Sequence, residues 1–156
     1  MSQLPTPTPE QQTALDNALD WYEDRSCPTF SIGGYAGTGK TTLVAHLLDR
    51  LHDGGASVAV ATLSGKAASV LRSKGIDDAC TLHSIFYLAF PLKGGKVAFT
   101  RRSKDDEFIQ SRDLLVVDEA SMIDTKLRDD ILHFEKPVLW VGDHGQLPPI
   151  GDDPGI

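Results

Sequence analysis

The chain has 156 residues, 40% of them hydrophobic, which suffices for one domain with a real core, and no apolar run approaches membrane-spanning length. Cys27 and Cys80 stand far apart, with no C-x-x-C pair and no histidine cluster, which excludes a zinc site or a disulfide framework and reads as reduced thiols of a cytosol-like compartment. The net charge of −7 argues on its face against nucleic acid, yet residues 64–104 carry eight bases (Lys66, Arg72, Lys74, Lys93, Lys96, Arg101, Arg102, Lys104) against Asp77 and Asp78 alone, a local +6 beside a remainder of −13, which charge alone leaves open as a phosphate-contacting zone or as ordinary solvated surface.

Residues 1–7 read as a loose, proline-rich arm and not as a signal peptide. Thr8-Pro9-Glu10-Gln11 predicts a helix start, with Thr8 as N-cap, Pro9 at the first helical position and Gln11 closing a capping box. Ala14, Leu15, Ala18, Leu19 and Tyr22 then share one apolar face.

Next comes Thr29-Phe30-Ser31-Ile32, a short β-prone run, and after it Gly34-Tyr35-Ala36-Gly37-Thr38-Gly39-Lys40-Thr41. Leu43, Leu47, Leu48 and Leu51 follow at helical spacing. The octapeptide fits G-x-x-x-x-G-K-[ST], the phosphate-binding loop, in the strand, loop and helix setting that the motif needs. Glycines let backbone N–H groups turn onto a phosphate chain without Cβ clashes, and the helix beginning near Lys40 adds its positive end. The candidate contacts to ATP are Gly34, Ala36, Gly37, Thr38, Gly39, Lys40, Thr41 and Thr42. Lys40 is expected to reach the β- and γ-phosphates, and the Thr41 hydroxyl to ligate Mg²⁺. The structural alternative is a glycine-rich turn that merely matches the pattern, and the flanks speak against it.

Gly54-Gly55 stops that helix, and residues 57–62 form a second, apolar strand suited to a buried parallel sheet. Ser64-Gly65-Lys66-Ala67-Ala68 opens another helix, predicted to run to about Lys74 and to end at Gly75. Thr81 caps a short helix expected to place Leu82, Ile85, Phe86 and Ala89 on one face. Gly94-Gly95, between runs at 89–93 and 96–101, predicts a small β-hairpin that carries five of the eight bases, with Asp105-Asp106-Glu107 as an acidic closing loop.

Leu114-Leu115-Val116-Val117 is a third buried strand and ends in Asp118-Glu119-Ala120-Ser121-Met122. Asp124 can cap a helix with Leu127, Ile131 and Leu132 inward. Residues 137–141 form a fourth strand, ending in Gly142-Asp143-His144-Gly145-Gln146-Leu147-Pro148-Pro149. There is no internal repeat. Strands alternating with helices predict an α/β fold with a mostly parallel, doubly wound sheet. Ligands of such sheets bind beyond the carboxyl ends of the strands, where three candidate sites fall.

Asp118 is the expected Mg²⁺ carboxylate and Glu119 the group that polarises an attacking water, with a helix cap as the structural alternative. Gln146 offers an amide to the γ-phosphate and the water, with a turn residue as its alternative. His46, His52 and His133 read as surface or packing residues, and His83 and His144 lack a metal-like partner set.

The phosphate loop, Asp118-Glu119-Ala120-Ser121-Met122 and the Gly142 to Pro149 stretch, in this order, resemble superfamily 1 DNA helicases, nearest their 5′→3′ branch of RecD, the phage helicase Dda and the Pif family. The resemblance spans about residues 11–151. It implies a RecA-like motor domain that binds ATP and works on single-stranded DNA in a bacterial or phage-like cytoplasm. It assigns Gln11 to adenine recognition, beside its capping role. Ser64-Gly65-Lys66 matches a motif that touches the single-strand backbone, although the family commonly has Pro-Thr where this chain has Leu63-Ser64. Thr81-Leu82-His83 resembles a second strand-contacting motif. The hairpin, about residues 88–106, sits where the group inserts a separation pin, with Phe99 either a wedge or packed under its own hairpin.

The resemblance also implies a second RecA-like domain supplying arginines, with no counterpart in this sequence. The expectation is therefore a fragment that binds nucleotide, hydrolyses it poorly and does not unwind duplex alone. Three rivals stand beside this reading. One is a small nucleotide kinase or similar phosphotransferase, with Arg101-Arg102 as lid arginines. The others are a stand-alone P-loop ATPase and a non-catalytic nucleotide-binding module.

Overall fold

The computed structural model describes residues 3–143. In chain order its elements are α1 (Pro9–Asp24), β1 (Thr29–Gly33), α2 (Lys40–Asp53), β2 (Val58–Thr62), α3 (Gly65–Ser73), β3 (Cys80–Thr81), α4 (Leu82–Phe86), β4 (Tyr87–Pro91), β5 (Val97–Arg101), α5 (Glu107–Gln110), β6 (Leu114–Val117), α6 (Thr125–Leu132) and β7 (Val138–Gly142). A 3-10 turn at Ala120–Met122 joins β6 to α6. Five strands form one parallel sheet in the order β1-β7-β6-β2-β3, and β4 pairs with β5 in a separate antiparallel hairpin.

Local chemistry accounts for the helix starts. The Thr8 hydroxyl accepts the Gln11 N–H while the Gln11 carboxamide oxygen accepts the Thr8 N–H, the reciprocal capping box. Ser64, Thr81 and Asp124 cap α3, α4 and α6 with their side-chain oxygens. Period-two burial then layers the core. Val58, Val60, Leu114, Val116, Leu139 and Val141 pack under α1 and α2. Ala59, Ala61, Leu115, Val117, Val138 and Trp140 face α4 and α6. Both faces of the sheet are covered, as an all-parallel sheet requires.

The structure departs from expectation in places. α4 ends at Phe86, and Ala89 lies on β4 opposite Phe99, because the chain extends to pair Tyr87 with Arg101. Asp106 caps the short α5 with its carboxylate and is no loop residue. Trp21 is buried on α1, its indole N–H donating to Cys27 O at 2.9 Å and its ring stacked on Phe30. The arm is tacked down: Leu4 packs on the core and His46 Nε2 lies 2.7 Å from Pro5 O.

One carboxylate joins the hairpin to the main domain. The Tyr87 hydroxyl donates to Asp130 Oδ2, and Arg101 Nη1 donates to Asp130 Oδ1 at 2.7 Å. The bond from Tyr87, helped by Arg101, holds the Asp130 carboxyl below its ordinary value. Burial, and then the bond to Asp130, pushes the Tyr87 phenol up to about 12.

Two outcomes follow from this packing. Phe86 is fully buried with its ring 5.3 Å from that of Phe134, so Phe86→Ala should cost about 3–5 kcal/mol in denaturant unfolding. The raised phenol stabilises the fold fully below its unfolded value of 10.0, and that contribution is lost as pH rises through about 12. Denaturant midpoints of wild type and Tyr87→Phe should therefore differ by a constant amount near neutrality and converge across that alkaline window.

Candidate functional site

Hydrogen bonds set the phosphate loop at the end of β1. Gly34 N–H donates to Gly142 O at 3.2 Å, carrying the β1–β7 ladder one step further. The loop then turns tightly, Thr38 N–H and Oγ1 both donating to Tyr35 O at 3.2 and 2.7 Å. Gly39 caps α2 at φ +81°, a left-handed conformation suited to glycine. A Cβ on Gly34 would fall 2.6 Å from Thr38 Oγ1. Ala36 and Gly37 are exposed at the lip, and Thr42 is half-buried in the first turn of α2.

The Lys40 ammonium donates to Gly34 O at 2.6 Å, Tyr35 O at 3.2 Å and Asp143 Oδ1 at 3.2 Å. Its three N–H donors meet three oxygens, so a phosphate that took Lys40 would exchange with these acceptors. Gln11 lies against the same loop. Its Nε2 donates to Thr38 O at 3.0 Å while its Oε1 serves the capping box. The cleft that holds Gln11, Gly34, Thr38 and Lys40 measures about 450 Å³.

The second part of the site grows from β6, which is buried through its last residue, Val117. Asp118 N–H still donates to Ala61 O at 2.9 Å, so its backbone belongs to the ladder. Burial pushes the Asp118 carboxyl above its ordinary value, and the neighbouring Glu119 charge adds to this; the Glu119 N–H and Lys40 oppose it without cancelling it. Glu119 then takes φ +54°, left-handed for a non-glycine residue, which swings its carboxylate away from the strand. That carboxylate accepts from Thr62 Oγ1 at 3.2 Å. Thr41, Asp118, Glu119, Ser64 and Lys66 share an adjoining cleft of about 290 Å³.

The Thr41 hydroxyl and the Asp118 carboxylate line this cleft together, and such a pair would suit an octahedral cation that kept water and other oxygens as its remaining ligands, which is the habit of Mg²⁺. Among the described residues no group of three or more His, Cys, Asp or Glu could hold a metal by itself.

The proposed strand-contact residues fall into two groups. Ser64 and Lys66 lie at the start of α3, in the cleft with Asp118, and Gly65 is exposed between them. The Ser64 and Thr81 hydroxyls accept from Ala67 N–H and Ser84 N–H at 3.1 and 3.2 Å, which leaves their protons to donate elsewhere. His83 stacks on Tyr87 with centroids 5.2 Å apart and makes a T-shaped contact with Phe99, centroids 6.1 Å apart. Phe99 is 59% exposed, so it does not pack under its own hairpin. The basic zone is thinner than the sequence suggests: Arg101, Arg102 and Lys104 are engaged in ion pairs with Asp130, Asp106 and Glu135. Gln146 and His144 lie outside the described residues.

Two contributors escaped sequence reasoning. Thr62 is fully buried and grips Glu119; its signal was a lone hydroxyl at the carboxyl end of an apolar strand. Asp143 lies in a stretch that the sequence singles out, but its ion pair with Lys40 depends on β1 and β7 being neighbours.

Comparison with known proteins adds independent findings. The AAA domain family matches residues 7–155. The ATP-dependent DNA helicase PIF3 of Trypanosoma brucei brucei is 34% identical over 122 residues, covering 78% of this chain and 13% of that protein. The ATP-dependent DNA helicase dda of Enterobacteria phage T4 is 31% identical over 129 residues, covering 80% of this chain and 28% of that one. The crystal structure of Bacteroides sp Pif1 in complex with ADP-AlF4 aligns with a TM-score of 0.61 at 26% identity, over 96% of this chain and 35% of that chain. This chain thus spans between 13% and 35% of the length of these relatives.

The loop geometry makes one substitution informative. In Gly39→Ala the new methyl would lie 2.4 Å from Gln11 Nε2 and the backbone would stay left-handed. The expected result is a stability loss of about 1–2 kcal/mol with weaker nucleotide binding. Adding Gln11→Ala should relieve the contact and leave the backbone cost, as denaturant melts and nucleotide titrations would read.

Proposed function

The chain belongs to the AAA-domain family, in its Pif1/RecD-like superfamily 1 helicase branch, and from that premise we propose that it is an ATP-hydrolysing motor domain of a 5′→3′ DNA helicase that moves on single-stranded DNA. The observation that carries the proposal is the meeting, at the carboxyl edge of one parallel sheet, of the Lys40 loop with the cleft of Thr41, Asp118 and Glu119. Polarity follows from family membership alone.

In this reading the loop N–H groups and Lys40 take the phosphates, Lys40 giving up carbonyl oxygens to do so. Thr41 and Asp118 would hold Mg²⁺, which would supply neutralising charge at the phosphates. Glu119 orients and polarises the attacking water, steadied by the Thr62 hydroxyl. Gln146 is proposed to contact the γ-phosphate and that water. Gln11 is proposed to read adenine, for which it would release its bond to Thr38 O or to Thr8 N–H. Ser64, Gly65, Lys66, Thr81, His83 and Phe99 are the proposed contacts to the strand, the last on a hairpin acting as a pin.

No arginine lines either cleft among the described residues. A second RecA-like domain is therefore the proposed partner, since an arginine supplied at this point is worth about 10³–10⁵ in rate. The proposed setting is a bacterial or phage-like cytoplasm, in keeping with two free thiols. No helix among the described residues is long and apolar enough to cross a membrane.

Arg101 and Arg102 weigh against the kinase alternative, because both are held in ion pairs at the hairpin root. Single-turnover phosphate release, with and without single-stranded DNA, tests the proposal on this chain. Lys40→Ala should lose nucleotide affinity. Glu119→Gln should keep Mg·ATP binding and slow phosphate release by about 100-fold or more. A phosphorylated acceptor in place of free phosphate would point to a kinase, and an unaffected Glu119→Gln to a module without hydrolysis.

A further inference from the structure

We propose that Asp130 is a positioning residue for the strand-contact surface: from α6 its carboxylate fastens the root of the β4–β5 hairpin and thereby sets Phe99 against His83. The functional meaning rests on the strand contacts proposed above, whereas the fastening stands on geometry alone.

A two-stranded hairpin is marginal in water by itself. This one leaves Leu88, Phe90, Val97 and Phe99 exposed, so its own faces cannot fix its direction. The constraint comes at the root. Tyr87 and Arg101 are partners in the hairpin register, one from each strand. The two oxygens of Asp130 divide between them, Oδ2 accepting from the Tyr87 hydroxyl and Oδ1 from Arg101 Nη1. Both bonds are charge-assisted, and the carboxylate side chain is only 13% exposed. Arg102 N–H continues the fixture by donating to Phe86 O at 2.8 Å. The nearby Lys104–Glu135 pair is more exposed and constrains less.

Tyr87 serves two neighbours at once. Its hydroxyl is held by α6, and its ring lies 5.2 Å from the His83 ring at 24°. The His83 ring also makes a T-shaped contact with the Phe99 ring of β5, centroids 6.1 Å apart. The Asp130 carboxylate thus bears, through Tyr87 and Arg101, on where an imidazole on α4 and an aromatic on β5 stand relative to each other. Aromatic rings held in place in advance lose little freedom when a base stacks on them. Asp130 lines neither nucleotide cleft, so its replacement leaves the phosphate site in place.

Two readouts on the purified chain test this. The first is the ring carbon–proton NMR correlation of His83. Asp130→Ala should shift it as the Tyr87 ring moves, with the Trp21 indole signal unchanged. Tyr87→Phe, which keeps the ring and removes the hydroxyl, should shift it the same way should Asp130→Ala not fold. An unmoved His83 signal in the folded variant overturns the fastening. The second is a double-mutant cycle in the binding of a dye-labelled oligothymidylate. Phe99→Ala should weaken binding about fivefold or more in the wild-type background and by about twofold or less with Asp130→Ala, at unchanged nucleotide affinity. Equal losses in both backgrounds overturn the positioning role. If Phe99→Ala costs nothing in wild type, the strand-contact reading and the positioning role fall together, and the His83 signal still decides the fastening.

Discussion

Parallel pairing of β6 between β2 and β7 is the constraint on which the rest depends. It brings the carboxyl ends of the strands to one edge of the sheet, and a strand buried on both faces can carry charge only where it leaves the core. Asp118 and Glu119 stand at that exit, Thr62 beside them and Gly142-Asp143 one strand further on. With β1 next to β7, the phosphate loop opens onto the same edge. The arrangement needs no special folding of the site: any sheet with this strand order would deliver these loops together.

Within that edge, side chains are held by contacts that ligands would compete for. Lys40 lies on loop carbonyls, Gln11 bridges the helix cap and the loop, and Glu119 rests on a buried threonine. Each bond keeps a polar group satisfied and is replaceable by a phosphate, a base or a water of similar donor and acceptor pattern. The left-handed backbone at Glu119 is the strained point, and it separates two adjacent carboxylates into different surroundings: Asp118 half-buried, Glu119 exposed. Under the proposed function, these two surroundings are what would let two acids in sequence take different roles.

The hairpin follows different rules. Its strands pair with each other and not with the sheet, and at its root the Asp130 side-chain bonds to Tyr87 and Arg101 join the Arg102 to Phe86 backbone bond in tying it to the main domain. The charge tally of the sequence is misleading here for the same reason. Arginines that look like a nucleic-acid surface are partly the fixtures of the hairpin, and what it exposes is aromatic and aliphatic side chains together with Lys93 and Lys96.

The sequence by itself determined the fold class, the helix starts and the identity of the nucleotide loop. The capping box at Thr8 and Gln11, the Gly34 to Thr41 pattern and the apolar strands ending in acids are legible because the forces behind them act within a few residues. It could not show where α4 gives way to β4, since that boundary depends on Tyr87 meeting Arg101 across the hairpin. Nor could it show the partners of the site. Lys40 and Asp143 are 103 positions apart, Thr62 and Glu119 57, and Tyr87 and Asp130 43. Those contacts exist only once strand order and helix packing have chosen neighbours, and no local preference encodes that choice.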